Sequence, residues 1–326
     1  MYEPHAGQRA LVCGADGFVG GHLVERLKLE GFWVRAVGLR RAERQAGADE
    51  FLCLDLRQVA ACRQAVAGPQ IDQVYQLAAD MGGMEYIHSA ECDTLGNNVR
   101  INVNMIEAAA QARVGRYLFA SSVCVYRMAV GEAPLSEADA YPAMPANEYG
   151  WEKLYSERVV QAYRRHFPLN VRIGRFENTY GPFNPWQGGR EKAPAALCRK
   201  IARVQPGGQI EAFGDGTAVR AYTFIDDLVD GIRLLMDSDC DEPANIGTSE
   251  YVTLAELIAT IGHISGKQFE VVYVPGPVGV RSRNFSKNRI ESMGYKPKYS
   301  LAQGIQITYD WILQQVRSAP VLSSGD

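Results

Sequence analysis

Residues 9–20 read RALVCGADGFVG, and this segment decides which fold to expect. A short apolar stretch, typical of a strand, runs directly into Gly14, Gly17 and Gly20 at the start of an amphipathic helix. Glycines at such a turn let the backbone approach a pyrophosphate, which then lies at the helix N-terminus. The spacing G-x-x-G-x-x-G between a strand and a helix therefore predicts a dinucleotide-binding loop.

Strand and helix patterns keep alternating outward from this loop. FWVRAVG, DEFLCLDL, QVYQLAA, RYLFASS and LNVRIGRF have the length and apolar character of strands, and helical patterns separate most of them. This alternation predicts an α/β fold, a doubly wound parallel (Rossmann) sheet with a smaller interleaved C-terminal α/β substrate lobe. We expect residues 1–175 plus about 221–245 to form the nucleotide-binding domain. The substrate domain then comprises about 176–220 plus 246–326.

The C-terminal half has a less regular pattern. NTYGPFNPWQGGREKAPAA is rich in glycine and proline and predicts neither strand nor helix. YTFIDDLVDGIRLLMDS predicts a short strand followed by a helix, and FEVVYVPGP predicts another strand. TLAELIATIGHISG predicts a further helix, with Thr253 as its N-cap.

Composition narrows the functional classes. The 326 residues carry a net charge of -3 without long charged runs, so nucleic-acid binding has no global electrostatic support. No apolar run reaches membrane-spanning length, and the first residues lack a signal-peptide pattern. The seven cysteines and five histidines are scattered without metal-ligand spacing. We therefore expect a cytoplasmic protein with no metal, no membrane partner and no nucleic-acid partner.

The end of the second predicted strand does not decide whether the cofactor is NAD or NADP. An acidic residue at this place would hydrogen-bond the ribose 2′-hydroxyl and favour NAD over NADP. The sequence AVGLRR has Gly38 there, followed by Arg40 and Arg41, which could meet a 2′-phosphate or be surface charges. NAD is the expected cofactor and NADP is not excluded. Asp55, after the third strand, is placed to hold an adenine or to form a turn.

Tyr149 and Lys153 are spaced to lie on one face of a helix. An ammonium beside the phenol predicts a lowered phenol pKa, so that tyrosinate can act as a base. Alone, the pair would be an ordinary exposed tyrosine and lysine. With a nucleotide loop upstream and Ser122 ending a strand, it suits hydride transfer at a secondary alcohol.

These motifs resemble the extended short-chain dehydrogenase/reductase superfamily over almost the full length. The features that match are GADGFVG, LAA at 77–79, the serines of residues 121–122 and YGWEK at 149–153. The resemblance implies a set of nicotinamide-cofactor contacts: Gly14, Gly17, Phe18, Val19, Gly20, Asp55, Leu56, Leu77, Ala78, Ala79, Tyr149 and Lys153.

Cys124, in ASSVCVYR, selects among the reactions of that superfamily. Its sugar-nucleotide dehydratases carry acids where this chain has Val123 and Cys124, so dehydration lacks its acid. In a sugar that has been oxidised to a ketone at C4, a thiolate could remove a proton from a neighbouring carbon. A cation such as Lys192 in GGREKAPAALCRK could return one. The alternatives are a packed thiol and a solvated surface lysine.

Further motifs resemble the GDP-mannose 3,5-epimerase family: AADMGGMEYI, SSVCVY, RIGRFENTYGPF and VPGPVGVRSRN. The resemblance implies that Tyr149, Lys153 and Ser122 oxidise C4 of the mannosyl group, with the hydride held on the nicotinamide and later returned. Cys124 and Lys192 would then invert C5 and C3, giving GDP-L-galactose, GDP-L-gulose or both. It also implies a homodimer and a set of substrate contacts: Gly82, Ser122, Val123, Cys124, Asn178, Glu191, Lys192, Ala193, Lys200, Arg220 and Arg281.

Some features depart from this family, and two alternatives stay open. Gly38 replaces an expected acid, and Arg127 and Glu177 stand where plant members have proline and histidine. One alternative is a 4-epimerase or 4-keto reductase acting on another nucleotide sugar, for which Cys124 and Lys192 would be dispensable. The other is a nicotinamide-sensing binding protein without catalysis, a class that usually lacks the Tyr/Lys pair.

Overall fold

A computed structural model describes residues 5, 7–41, 47–127, 133–276 and 284–318. Its main sheet has seven strands in the order β10-β6-β5-β4-β1-β2-β3, and every neighbouring pair is parallel. This order confirms the predicted doubly wound sheet. The strands are β1 (Arg9–Cys13), β2 (Trp33–Gly38), β3 (Glu50–Cys53), β4 (Gln73–Gln76), β5 (Arg116–Ser122), β6 (Asn170–Phe176) and β10 (Ala244–Ile246).

The main sheet is covered by helices on both faces. A hydrophobic cluster lies on each face of the sheet, with Val12 of β1 in one cluster and Leu11 in the other. Because β1 is buried on both faces, its sequence is continuously apolar. One face carries α2, α4 and α5, and the other carries α1 and α7. These helices are α1 (Phe18–Leu29), α2 (Val59–Val66), α4 (Glu91–Gln111), α5 (Glu148–His166) and α7 (Ile225–Asp237), with the short α3 (Met84–Ser89) before α4.

A smaller C-terminal part is built from two short sheets and a helical layer. One sheet has the order β11-β9-β7 and the other pairs β12 with β8. Helices α6, α8 and α10 pack against one another beside them. The elements are β7 (Asn178–Tyr180), β8 (Gly208–Phe213), β9 (Val219–Phe224), β11 (Tyr251–Thr253), β12 (Phe269–Val274), α6 (Ala193–Arg203), α8 (Leu254–Ser265), α9 (Asn288–Ser292) and α10 (Leu301–Ser318).

The glycine- and proline-rich segment was predicted wrongly at both of its ends. Strand β7 begins it and helix α6 starts before its last residues. Three residues carry too little pattern for a strand, and β7 exists because it pairs with the distant β9. The helix over 301–318 was not predicted either. The domain limits near 175, 221 and 245 remain a prediction.

The sequence correctly predicted the start of α8 from its capping residue. The Thr253 side chain accepts a hydrogen bond from the Glu256 backbone N–H at 3.1 Å, and the Glu256 carboxylate accepts one in return from the Thr253 N–H at 2.7 Å. This reciprocal capping box confirms Thr253 as the N-cap of α8. Among the described residues, no helix combines the length and the apolar character needed to cross a membrane.

Candidate active site

A cavity of about 650 Å³ lies at the carboxyl ends of the central strands β4, β5 and β6. Ligands of doubly wound sheets bind at this edge, near the point between β1 and β4 where the strand order reverses. The lining includes sixteen of the sequence-predicted residues: Phe18, Val19, Leu77, Ala79, Gly82, Ser122, Val123, Cys124, Tyr149, Lys153, Asn178, Glu191, Lys192, Ala193, Lys200 and Arg220.

The glycine loop is packed too closely for side chains. Gly14 has a φ of +76°, and a Cβ there would lie 2.8 Å from the backbone of Ala78. A Cβ on Gly20 would lie 2.1 Å from the carbonyl oxygen of Gly14. Gly17 is the N-cap of α1, and among the described residues no side chain caps that helix. The open N-terminus at the cavity fits the pyrophosphate of a dinucleotide.

Asp55, the predicted adenine contact, and Leu56, another predicted cofactor contact, lie outside the cavity lining. The Asp55 carboxylate accepts hydrogen bonds from the guanidinium of Arg57 at 2.7 Å and from its backbone N–H at 3.0 Å. The Arg57 hydrogen bonds hold the pKa of this carboxyl below its usual value. Leu56 is buried. Arg281 lies in 277–283, outside the described residues.

A short 3-10 turn, Val123–Val125, places the thiol of Cys124. The Ser122 hydroxyl caps this turn by accepting a hydrogen bond from the Cys124 backbone N–H at 3.2 Å. A Cβ on Gly150 would lie 2.3 Å from the Cys124 carbonyl oxygen. Gly150 therefore lets the first turn of α5 approach the cysteine, which is why the glycine follows Tyr149.

Helix α5 supplies Tyr149 and Lys153, and both are buried. The Asn147 side chain caps α5 by accepting a hydrogen bond from the Gly150 N–H at 2.9 Å. The Lys153 ammonium lies 5.6 Å from the centre of the Tyr149 ring and donates to the carbonyl oxygen of Ala120 at 3.1 Å. Ser122, Cys124, Tyr149 and Lys153 form one wall of the cavity, the strand wall.

The predicted lowering of the Tyr149 pKa is wrong. Burial raises the pKa of this phenol well above its usual value, and the nearby Cys124 and Glu152 raise it further. A hydrogen bond with Ser122 acts in the opposite direction. The desolvation of a buried phenol outweighs these smaller influences, and sequence spacing contains no information about burial.

Glu152 is a functional candidate that the sequence analysis missed. It is 1% exposed, and its Oε2 lies 3.8 Å from the Lys153 ammonium. Its Oε1 accepts hydrogen bonds from Asn102 and Ser156, each at 2.7 Å. The Asn102 amide oxygen in turn accepts a hydrogen bond from Gln76, which lines the cavity, at 2.9 Å. A buried polar network therefore links Lys153 to Gln76, another residue of the cavity lining. No position in YGWEK distinguishes Glu152 from a surface glutamate.

Two loops form a second wall of the cavity. The backbone N–H of Gly83 donates to the Arg190 carbonyl oxygen at 3.1 Å, and a Cβ on Gly83 would lie 2.5 Å from the Glu191 carbonyl oxygen. Lys192 follows as the N-cap residue of α6. Gly82, Gly83, Glu191 and Lys192 form this loop wall. The GG pair of AADMGGMEYI is thus the signal for a close contact between the two loops.

Cys124 and Lys192 both line the cavity and interact electrostatically. Burial lowers the pKa of the Lys192 ammonium, and the charge of Cys124 raises it. An ammonium with a lowered pKa gives up a proton more readily near neutrality. The two groups, which belong to different elements of one cavity, therefore have the chemistry of an acid/base pair.

The other predicted substrate contacts already have protein partners. The Asn178 amide donates to the Ala221 carbonyl oxygen at 3.3 Å, and the Lys200 ammonium donates to the Glu211 carbonyl oxygen at 2.7 Å. The Glu191 carboxylate pairs with Arg199 at 2.9 Å. These contacts hold the side chains in the cavity wall, where a ligand can share them.

Two more wall residues were not predicted as site residues. The Met81 sulfur lies 3.4 Å from the Tyr149 hydroxyl, so DMGG also supplies a neighbour of the phenol. Glu177, noted only as a departure from plant relatives, lines the cavity and pairs with the buried Lys287 ammonium at 2.6 Å. Burial raises the pKa of Glu177, and Lys287 opposes that rise.

Known proteins resemble this chain over most of its length. The model of the NAD dependent epimerase/dehydratase family matches residues 10–247. A GDP-mannose 3,5-epimerase of Arabidopsis thaliana is 41% identical over 324 residues, covering 97% of this chain and 85% of the relative.

Solved structures show the same fold. UDP-glucose 4-epimerase from Thermotoga maritima, solved with UDP-glucose, has a TM-score of 0.87 at 24% identity and covers 95% of this chain and 100% of its own. MoeE5, solved with UDP-glucose and NAD, has a TM-score of 0.83 at 27% identity, with coverage of 95% and 100%.

Proposed function

The chain belongs to the NAD dependent epimerase/dehydratase family, and on this premise we propose that it epimerises GDP-mannose at C5 and C3. Inversion at both centres gives GDP-L-galactose, and inversion at C5 alone gives GDP-L-gulose. The observation that carries the proposal is that Cys124 and Lys192 line the same cavity as Tyr149 and interact electrostatically there. The match to the Arabidopsis thaliana epimerase, which covers most of both chains, supports the same substrate.

The glycine loop and the strand wall are the parts of the chain that would hold NAD. Gly14, Gly17 and Gly20 leave room for the pyrophosphate at the N-terminus of α1. Lys153, buried beside Tyr149, is placed to hold the nicotinamide ribose. When bound, oxidised NAD supplies a hydride acceptor and a positive charge at the sugar.

Oxidation at C4 requires the hydroxyl proton of the sugar to leave. We assign its removal to Tyr149, with Ser122 donating a hydrogen bond that orients the substrate oxygen. Burial, Cys124 and Glu152 all raise the pKa of the phenol, so its base form becomes more abundant as pH rises. The rate of C4 oxidation should therefore increase towards alkaline pH.

The ketone at C4 acidifies the protons on C5 and C3. One residue from each wall then takes part in replacing these protons. The Cys124 thiolate removes a proton from one face of the sugar, and the Lys192 ammonium delivers one to the opposite face. The C–H bond broken on one side is replaced by one on the other, which inverts the centre. Proton exchange with water would return the thiol and the amine to their starting forms. The hydride removed from C4 would then have to return to that carbon, with the Tyr149 phenol giving back the hydroxyl proton, so that the net reaction is an epimerisation without redox change.

We place the diphosphate of the substrate near Arg220, since arginine can bind phosphate oxygens bidentately. Arg220 lines the cavity, and its guanidinium donates to the Val219 carbonyl oxygen at 2.7 Å. Arg281 is the second arginine of this proposal and lies outside the described residues. Replacing Arg220 with Met should raise the KM for GDP-mannose more than it lowers kcat. If this variant binds GDP-mannose as tightly as the wild-type chain, Arg220 does not bind the diphosphate.

Incubation with GDP-mannose in deuterated water, followed by NMR of the recovered sugar, tests the proposal. Deuterium at C5, with or without C3, is expected for the wild-type chain. Cys124→Ser should lose this exchange, whereas Cys240→Ser, outside the cavity lining, should keep it. Conversion without deuterium at either carbon would indicate a 4-epimerase or 4-keto reductase. Cofactor that binds but is never reduced by any sugar nucleotide would indicate a sensing protein.

A homodimer is the proposed assembly, formed through α4 and α5. Trp151 and Tyr155 lie one turn apart on α5 and are 40% and 53% exposed, so two large aromatic side chains lie next to each other on the surface of this helix. Covering these rings with the same helices of a second copy would remove them from water. Sedimentation of the wild-type chain should give a dimer mass, and Tyr155→Glu should shift it towards the monomer. A wild-type monomer would exclude this assembly.

A cytoplasmic location is likewise proposed, on the basis of cysteine chemistry. All seven cysteines are described, and all are free thiols. Cys53 and Cys92 are exposed, and exposed free thiols suit a reducing compartment. Fractionation of cells that express the tagged chain would test this location, and recovery from an oxidising compartment would contradict it.

A further inference from the structure

The end of β2 lacks the acidic side chain that would contact the adenosine ribose of NAD. Gly38 occupies that position and is buried. The sequence offers Arg40 and Arg41 nearby, which suit a 2′-phosphate, so it does not decide between NAD and NADP. The question is which group meets the ribose at this place.

A carboxylate from another element fills the space beside Gly38. A Cβ on Gly38 would lie 2.5 Å from both Cγ and Oδ1 of Asp16, a residue of the glycine loop. Asp16 Oδ2 accepts hydrogen bonds from the backbone N–H groups of Leu39 at 3.0 Å and Arg40 at 3.3 Å. The Asp16 carboxylate is therefore fixed at the end of β2, although it comes from the turn between β1 and α1.

We propose that Asp16 is the residue that selects NAD over NADP in this chain. Both backbone hydrogen bonds go to Oδ2, so Oδ1 keeps its acceptor capacity for a ribose hydroxyl. A 2′-phosphate at the same place would set two negative groups against each other. The inference rests on the proposed binding of a nicotinamide dinucleotide at the glycine loop.

The two arginines do not reverse this preference. The Arg41 guanidinium lies 6.0 Å from the centre of the Phe51 ring, so it is stacked towards β3. Arg40 contributes a backbone N–H to the Asp16 carboxylate, and its side chain is exposed to water, where ion pairing is weak. A fixed carboxylate at the ribose outweighs a solvated arginine beside it.

The geometry also explains why Gly38 is glycine. A side chain on residue 38 and the Asp16 carboxylate cannot occupy the same volume. The acidic side chain can therefore come from either position, provided that the other position is glycine. Gly38→Asp alone should destabilise the chain, whereas Asp16→Gly combined with Gly38→Asp should fold and keep the preference for NAD.

Calorimetric titration of the full chain, freed of carried-over nucleotide, with NAD⁺ and with NADP⁺ tests the proposal. We expect the wild-type chain to bind NAD⁺ about 100-fold more tightly. Asp16→Asn keeps an acceptor for the two N–H groups but removes the charge, and it should reduce this ratio about tenfold or more. Asp55→Asn is the matched control, because adenine is common to both nucleotides and the ratio should not change.

An unchanged ratio in Asp16→Asn, or equal binding of both nucleotides by the wild-type chain, would overturn the proposal. Should Asp16→Asn fail to fold, the same titration with Asp16→Gly decides: a reduced ratio supports the proposal and an unchanged ratio overturns it. Neither measurement uses GDP-mannose. A failed deuterium experiment would therefore leave the role of Asp16 intact, and the reverse also holds.

Discussion

The two walls of the cavity are built in different ways. The strand wall belongs to continuous elements, since Ser122 ends β5 and Tyr149 and Lys153 lie in the first turns of α5. The loop wall depends on contact between two loops distant in sequence, where Gly83 donates to the Arg190 carbonyl oxygen at 3.1 Å. Oxidation at C4 is thus assigned to the regular core, and the return of protons at C5 and C3 to a loop contact. The two activities should be separable by mutation.

Tyr149→Phe should have the largest effect, because it removes the assigned base on the strand wall. Without C4 oxidation neither C5 nor C3 becomes acidic, so GDP-mannose turnover and deuterium exchange should both fall about 10³-fold. NMR in deuterated water measures both. The variant should still bind NAD⁺ in a titration, since only the hydroxyl is lost. Retained exchange would mean that the strand wall does not begin the reaction.

Lys192→Met should separate the two walls. Loss of the ammonium removes the proton donor of the loop wall, and epimerisation should decrease about 10²-fold. C4 oxidation should persist and be visible as reduced nicotinamide absorbance after GDP-mannose is added. Lys298→Met, which removes an exposed lysine outside the cavity lining, is the control. Equal loss of both steps in Lys192→Met would contradict separate roles for the walls.

Gly83→Ala tests the loop contact itself. The new Cβ would lie 2.5 Å from the Glu191 carbonyl oxygen, so the loops must move apart and carry Lys192 with them. A displaced donor should lower epimerisation about tenfold while C4 oxidation is retained. Gly96→Ala is the matched control, because its Cβ would approach only the end of the Arg100 side chain. If both variants behave alike, close loop contact is not required.

Glu152→Gln should give the smallest effect, confined to the pH dependence. Glu152 raises the pKa of the Tyr149 phenol, so removing its charge lowers that pKa and makes the base form available at lower pH. The alkaline increase in kcat should therefore move towards neutrality. Glu148→Gln, an exposed residue in the same first turn of α5, should leave the profile in place. A shift in the other direction would show that Glu152 acts mainly by holding Lys153.

Elements with strong local signals were predicted correctly from the sequence. The strands β1 to β6, the Thr253 cap of α8 and the glycine loop depend on patterns within a few residues. Strand β7 and helix α6 were missed in the segment rich in glycine and proline. Their stability comes from pairing with β9 and packing against α10, which no local pattern records.

Among the side chains of the site, too, some properties were predicted from local sequence and others depend on tertiary contacts. The Tyr149–Lys153 spacing predicted their shared helix face, but the direction of the phenol pKa was wrong because burial dominates it. Glu152 was missed because a buried and an exposed glutamate look alike in sequence. Gly38 was identified as a departure, whereas the Asp16 carboxylate beside it was not.

The order of residues determined the doubly wound fold, the dinucleotide loop and the chemical types available for catalysis. These features follow from spacing along one strand, one turn or one helix. Tertiary structure alone decided that Lys192 shares a cavity with Cys124, that a Glu152 carboxylate oxygen lies 3.8 Å from the Lys153 ammonium, and that Asp16 fills the space beside Gly38. The physical reason is that burial, charge interaction and steric exclusion act between groups close in space, whichever part of the chain supplies them.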